Sequence, residues 1–327
     1  MPVVTKREDV LAVYSCAAEK GWVIPTFCSE NLTSTEAVLT AVKDRADAIG
    51  CDNLPITLAL TNLYSHRSQS VNYTHTRRWD IGLKLFLADI NVLTAPGSPF
   101  ESLDVMIHLD HIQHDVDREL LEWDMGQFSS IMFDASSLPF DDNIEATKNF
   151  VRNHGHEIVV EGACDEIESC ELTTPEEAQR YTSETGVDLI VANLGTEHRV
   201  SAAQLSYRGD LARRIKDKIG AKIVLHGCSS VSNDQVASLF DDGVCKVNIW
   251  TALERDSSPA LLEDMVKHSG QVAGPHAARL LEEEYLGPNS QVAHKADLGY
   301  YTTLYRQGVV FDRMREIVLD YLELWYT

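Results

Sequence analysis

The sequence predicts an α/β protein built as a (β/α)8 TIM barrel. Three observations carry that expectation. Short apolar runs rich in Val and Ile recur along the 327 residues, and such runs read as buried strands. Stretches with helical spacing separate them, as parallel strands with crossover connections require. The strands number eight, which closes a barrel; a doubly wound open sheet is the alternative.

In chain order, an N-terminal helix precedes strands expected at 22–28, 55–60, 104–109, 129–133, 156–161, 187–193, 222–226 and 244–248. Helical spacing is read at 34–49, 114–125, 141–153, 174–185, 208–219 and 233–241. Thr174-Pro175-Glu176-Glu177 marks one helix start: a cap, a proline at the first helical position and acids in the first turn. Ser232-Asn233-Asp234 is read the same way. Two regions depart from the repeat. Residues 64–80 form a long polar loop, and such loops in compact domains are often functional. The tail, about 270–327, reads as a helical extension carrying Tyr300, Tyr301, Tyr305, Phe311, Tyr321 and Trp325, suited to packing or a subunit interface. The expectation is a single domain over 1–327.

Composition narrows the function. A formal net charge of −22 argues against a nucleic-acid partner, which wants a basic surface. No apolar run approaches the roughly 20 residues of a membrane span, and the N-terminus lacks the apolar stretch of a secretory signal. Seven scattered cysteines with no C-x-x-C pair fit a reducing, cytoplasmic setting. An anionic substrate would need a local cation or a metal.

Three of the twelve histidines, His111, His198 and His226, each follow an apolar run. At the ends of separate parallel barrel strands they would converge on one face, and three imidazoles leave a fourth position on Zn²⁺ open for chemistry. Asp110 stands beside His111, where a proton acceptor or donor is useful. Strand alternation points Asp110 and His111 to opposite faces, so a bend at the strand end is needed for both to reach one centre.

Five segments in the same order resemble the class II, zinc-dependent ketose-bisphosphate aldolases, the fructose- and tagatose-bisphosphate aldolase family. They are His108-Leu-Asp-His111, the stretch Ser130 to Lys148, Gly195-Thr-Glu-His198, Leu225-His-Gly-Cys-Ser229, and Gly243 to Thr251. The resemblance implies a TIM-barrel lyase with one catalytic Zn²⁺ per chain on His111, His198 and His226. It implies Asp110 as the acid/base at the cleaved hydroxyl. Gly227, Ser229, Asn248 and Thr251 match positions around the donor phosphate. A loop acid after strand five would move the donor's carbon-bound proton; Glu171 aligns best, with Glu166 and Glu168 as rivals.

The departures are also informative. A second acid expected after Glu161 is Ala163, a glycine after the second zinc histidine is Arg199, and two glycines of an anion-binding turn are Cys228 and Ser230. Trp250 replaces a residue that is commonly small or acidic. Arg199 is expected to grip an anion, or else to pair with a nearby acid. These changes favour a ketose or ketose phosphate other than fructose bisphosphate, cleaved by a homo-oligomer (dimer or tetramer). The alternatives are a metal-dependent hydrolase on the same three histidines and a non-catalytic sugar-sensing barrel. Strands four and eight are read as offering no further carboxylate ligand, which disfavours a two-metal hydrolase.

Overall fold

The computed structural model describes residues 3–165, 172–196, 207–228 and 231–327. Eight parallel strands follow one another around a closed barrel: β1 Ile24–Cys28, β2 Pro55–Thr61, β3 Asp104–Gln113, β4 Ser130–Asp134, β5 Val159–Ala163, β6 Leu189–Val191, β7 Ile223–Leu225 and β8 Val244–Ile249. β8 pairs back onto β1, with Thr26 opposite Asn248, so the sheet has no free edge. Every strand expected from the sequence is present. Their apolar character follows from burial on both faces. Ile56, Leu58 and Leu60 of β2 are wholly buried within the large apolar core. Met132, Ala163, Leu189, Val191, Val224 and Cys245 form a separate buried cluster.

One end of the barrel is closed by the N-terminal helix Arg7–Glu19. Its Tyr14 packs against that second cluster. Its Arg7 grips Asp188 through two N–H···O bonds of 2.6 Å and reaches the Ile158 carbonyl at 3.3 Å. Asp188 and Ile158 stand just before β6 and β5, so this is the N-terminal end of the strands. The C-terminal end is left for chemistry.

The helix start at Thr174 is as expected: its hydroxyl accepts from Glu177 N at 3.2 Å while Glu177 reaches back to Thr174 N at 2.9 Å. Ser232 differs. Helix Asn233–Ala237 begins there, but the Ser232 hydroxyl donates to the Gln235 side chain instead of capping the helix. The helix expected at 114–125 is reduced to Arg118–Leu121 and a short 3-10 turn, Met125–Gln127. The cause is local. β3 runs on to Gln113, and the Asp117 carboxylate accepts from Gln113 N, Leu63 N and Asn62 Nδ2, turning the chain back sharply.

The polar loop after β2 is folded rather than loose. Gln69 and Thr61 exchange bonds of 2.8 and 3.1 Å, Ser70 bonds Asn62 at 2.6 Å, and residues Gln69–Asn72 form one helical turn. Helix Trp79–Leu93, absent from the helices read in the sequence, packs on that turn. Gly82 is required there: a Cβ would lie 1.9 Å from the Ser70 carbonyl oxygen. The last helix, Thr303–Trp325, packs along helix Leu32–Ile49. It delivers Trp325, whose Nε1 donates to the Val236 carbonyl, and Tyr326, whose hydroxyl donates to Pro55 O. Among the described residues, no helix is long and apolar enough to cross a membrane.

Candidate active site and metal centre

The site is made by an irregularity in β3. Along the β3–β4 ladder Leu109 pairs with Ile131, but the next match is Ile112 with Phe133. Asp110 and His111 therefore oppose the single residue Met132, which is a β-bulge. His111 takes a left-handed backbone, φ 48°. A regular strand would point Asp110 and His111 to opposite faces; the bulge turns both toward one centre. A non-glycine residue held there costs on the order of 1–3 kcal/mol, and such strain persists only where neighbours hold it. Three do. Asp134 at the end of β4 lies 3.1 Å from His111 Nδ1, the Tyr64 ring stacks on the imidazole at 4.3 Å with a 1° interplanar angle, and His226 meets its other nitrogen.

His226 stands at the end of β7, followed by Gly227 with φ 70°, a conformation that favours glycine. Ligand atoms of Asp110, His111 and His226 all lie within 4.8 Å of one another, and all three residues are buried. The surrounding bonds decide which nitrogens face inward. Asp134 is held well below the usual carboxylate range: burial opposes its charge, but the bond from His111 and those from Ser136 outweigh it. It therefore accepts from His111 Nδ1–H. Glu161 of β5 is brought down to about 2; burial again opposes, and Lys246, His108 and His226 prevail. Glu161 accepts from His226 Nε2–H at 3.4 Å and from Lys246 Nζ at 2.7 Å.

This leaves His111 Nε2 and His226 Nδ1 facing each other at 3.1 Å, each with a lone pair. A proton or a metal ion must lie between them. In the absence of metal, the demand falls on His111: burial disfavours its charge, but Asp110, Asp134 and Glu161 raise its proton affinity. The donor set fits a tetrahedral cation well. Two ligands at about 2.0–2.1 Å from zinc stand roughly 3.3 Å apart, close to the separation found. Carboxylates on the far nitrogens are the usual orienting partners of metal-bound histidine.

Asp110 sits at the junction of this centre with two cavities. Its Oδ1 accepts from Asn248 Nδ2 at 2.8 Å, and the Cys28 thiol donates to Oδ2 at 3.4 Å. Burial works against its charge, yet His111, His108 and His226 hold it well below the usual range, so it is an ionised base. A pocket runs from Asp110 and His226 along Gly227, Asn248 and Thr251. Asn248 spends its amide N–H on Asp110, and its Oδ1 is buried without a partner among the described residues. The sequence residues Glu171, His198, Arg199 and Ser229, and the rival acids Glu166 and Glu168, lie outside the described residues. Thr196, two residues before His198 in the sequence, donates to the His226 carbonyl at 2.7 Å.

A family model for class-II fructose-bisphosphate aldolase matches residues 8–298 of the chain. The chain belongs to that family, a family of lyases. A fructose-bisphosphate aldolase of Giardia intestinalis is 30% identical over 220 residues, a stretch that spans 57% of this chain and 65% of that protein. The alignment thus spans just under two thirds of the length of that relative. Among solved structures, fructose-bisphosphate aldolase from Campylobacter jejuni superposes with a TM-score of 0.76 at 18% identity, covering 99% of this chain and 95% of that one. The YdjI aldolase from Escherichia coli K12 gives 0.68 at 19% identity, covering 95% and 94%. At these identities the likeness establishes the barrel.

Several residues of this site went unassigned in the sequence. Strand four does end in a carboxylate, Asp134, contrary to the sequence reading; it is spent on the outer nitrogen of His111. Its position beside the strand end was the available signal. His108, Ser130 and Lys246 form a buried chain with Glu161: His108 Nδ1 meets Ser130 Oγ at 2.8 Å and His108 Nε2 meets Lys246 Nζ at 3.2 Å. Glu30, just past β1, and Arg67, in the polar loop, were passed over as well. They pair near Trp250 beside the second cavity.

Proposed function

We propose that the chain is a zinc-dependent aldolase that cleaves or forms a C–C bond of a ketose phosphate. The single observation that carries this reading is the bulge in β3, which turns an ionised Asp110 and the inward nitrogen of His111 toward the same point. His111 and His226 would hold the metal with His198 as the third ligand; Thr196, two residues before His198 in the sequence, is tied to the His226 carbonyl. A zinc ion bound there would polarise the donor carbonyl as a Lewis acid.

The chain's own residues would do the rest. In the cleavage direction Asp110 takes the proton of the hydroxyl on the far carbon of the breaking bond. That oxygen becomes the aldehyde carbonyl, and the electron pair of the C–C bond passes to the ketone half. A loop acid, Glu171 in this reading, returns a proton to the donor carbon. Gly227, Ser229, Asn248 and Thr251 would seat the donor phosphate after β7 and β8, where barrels commonly place one. Arg199 would add a charge-assisted fork at that anion. In this reading the enzyme would act in the cytoplasm as a homo-oligomer.

The test is a screen of ketose phosphates with zinc-loaded protein, trapping both products. Ketone and aldehyde should be released in equal amounts. Release of inorganic phosphate instead would indicate a hydrolase, and tight binding without turnover a sensor. Arg199→Gly should raise KM for the best substrate; an unchanged KM would remove Arg199 from the anion site.

A further inference from the structure

A second pocket shares Cys28, Asp110 and Trp250 with the β7–β8 pocket and is bounded further by Tyr64, Arg67, Gln69 and His111. If the donor half lies along Gly227 and Thr251, as in the reading above on which this rests, the aldehyde half enters here. Behind Arg67, Gln69 and Trp250 of that lining stands the carboxylate they clasp. Glu30 is nearly buried, 8% exposed. Arg67 Nε donates to both of its oxygens at 2.9 and 3.0 Å, and Arg67 Nη2 donates to Oε2. Trp250 Nε1 donates to Oε1 at 2.9 Å and Gln69 Nε2 at 3.4 Å. Glu254, one turn into the helix after β8, adds a second carboxyl whose Oε1 is buried without a hydrogen-bond partner among the described residues.

We propose that this clasp makes the distal end of the aldehyde half an uncharged polyhydroxy chain and selects against a terminal phosphate. Arg67 is the one guanidinium lining this cavity among the described residues, and its charge is already committed to Glu30. A phosphate could recruit Arg67 only by stripping a buried carboxylate of its counterion, next to a second carboxyl. Two or three negative groups would then share one cation. A hydroxyl meets no such conflict. It can accept from an N–H of Arg67 without displacing Glu30, whereas a phosphate dianion brings further charge and only accepts. The pair of Tyr64 and Trp250 supplies flat apolar surface for the C–H faces of such a chain. The burial of Glu254 and its nearness to Glu30, partly offset by Arg67, push its carboxyl up to about 7, which agrees with acid-rich surroundings for Arg67.

The experiment compares kcat/KM of zinc-loaded native protein for ketohexose 1-phosphates and for the matching 1,6-bisphosphates. The expected result is at least a tenfold preference for the monophosphates. Glu30→Gln, which frees Arg67, should shrink that ratio severalfold, chiefly by lowering KM for the bisphosphates. Arg67→Met should raise KM for the monophosphates without improving the bisphosphates. A native preference for bisphosphates, lost in Arg67→Met, overturns the inference while leaving the aldolase reading intact. No cleavage of either series overturns both.

Discussion

At the scale of single residues, the site works by fixing each polar group with hydrogen bonds that set its orientation and charge. Asp110 is the clearest case. Asn248 and Cys28 hold its two oxygens, and the neighbouring imidazoles keep it ionised. Asp110→Asn should retain metal yet lose something like 10²–10⁴ in turnover, the usual range for a lost acid/base. Turnover within a few-fold of native in the metal-loaded variant would exclude Asp110 from proton transfer. Glu254 gives a second residue-scale expectation. Its carboxyl rises from an ordinary 4.5 to about 7, through burial first and Glu30 second, against Arg67. Between those pH values the folded chain holds a proton that the unfolded chain has lost, so stability falls as pH rises through that window. Glu254→Gln should therefore raise Tm relative to native at pH 8 and much less at pH 5. Equal gains at both pH values, or none, would contradict the assignment. Neither Glu254 nor Glu30 was legible in the sequence, because the clasp joins residues 30, 67, 69 and 250 from three separate strand ends.

At the scale of elements, the decisive feature is a bulge of one residue. The sequence shows that His108-Leu-Asp-His111 needs a bend if Asp110 and His111 are to share a centre. It does not show where the bend falls, since both Asp and His are among the non-glycine residues that adopt positive φ, and His111 is the one that does. The loop after β2 is the other element that matters. It carries Tyr64 against His111 and Arg67 against Glu30, and helix Trp79–Leu93 braces it through Gly82. Alanine at position 82 gains up to about 1 kcal/mol in helix propensity, but its Cβ overlaps a backbone oxygen that cannot rotate away. Overpacking of that kind costs about 1–3 kcal/mol. Gly82→Ala is expected to lower Tm and to raise KM more than it lowers kcat, because the loop and not Asp110 is displaced. A rise in Tm would show that the two helices can part without cost.

At the scale of the whole molecule, the barrel was legible because each strand is buried on both faces and reads as a short β-branched run. The helix at 114–125 was misread for the opposite reason: its spacing is helical, but Asp117 accepts three backbone and side-chain donors that tie the turn to β2 and β3. The closed N-terminal end, plugged by Tyr14 and pinned by Arg7 to Asp188, leaves the other end for the convergent groups. That convergence makes metal binding the central claim, and it is tested most directly by metal analysis of the purified chain coupled to a structure of the zinc-loaded protein. The account predicts one zinc per chain, with His111 Nε2 and His226 Nδ1 both at about 2.0–2.1 Å from it, and its loss in His111→Ala and His226→Ala. Less than stoichiometric zinc in the native protein, or zinc retained when both imidazoles are removed, would contradict it.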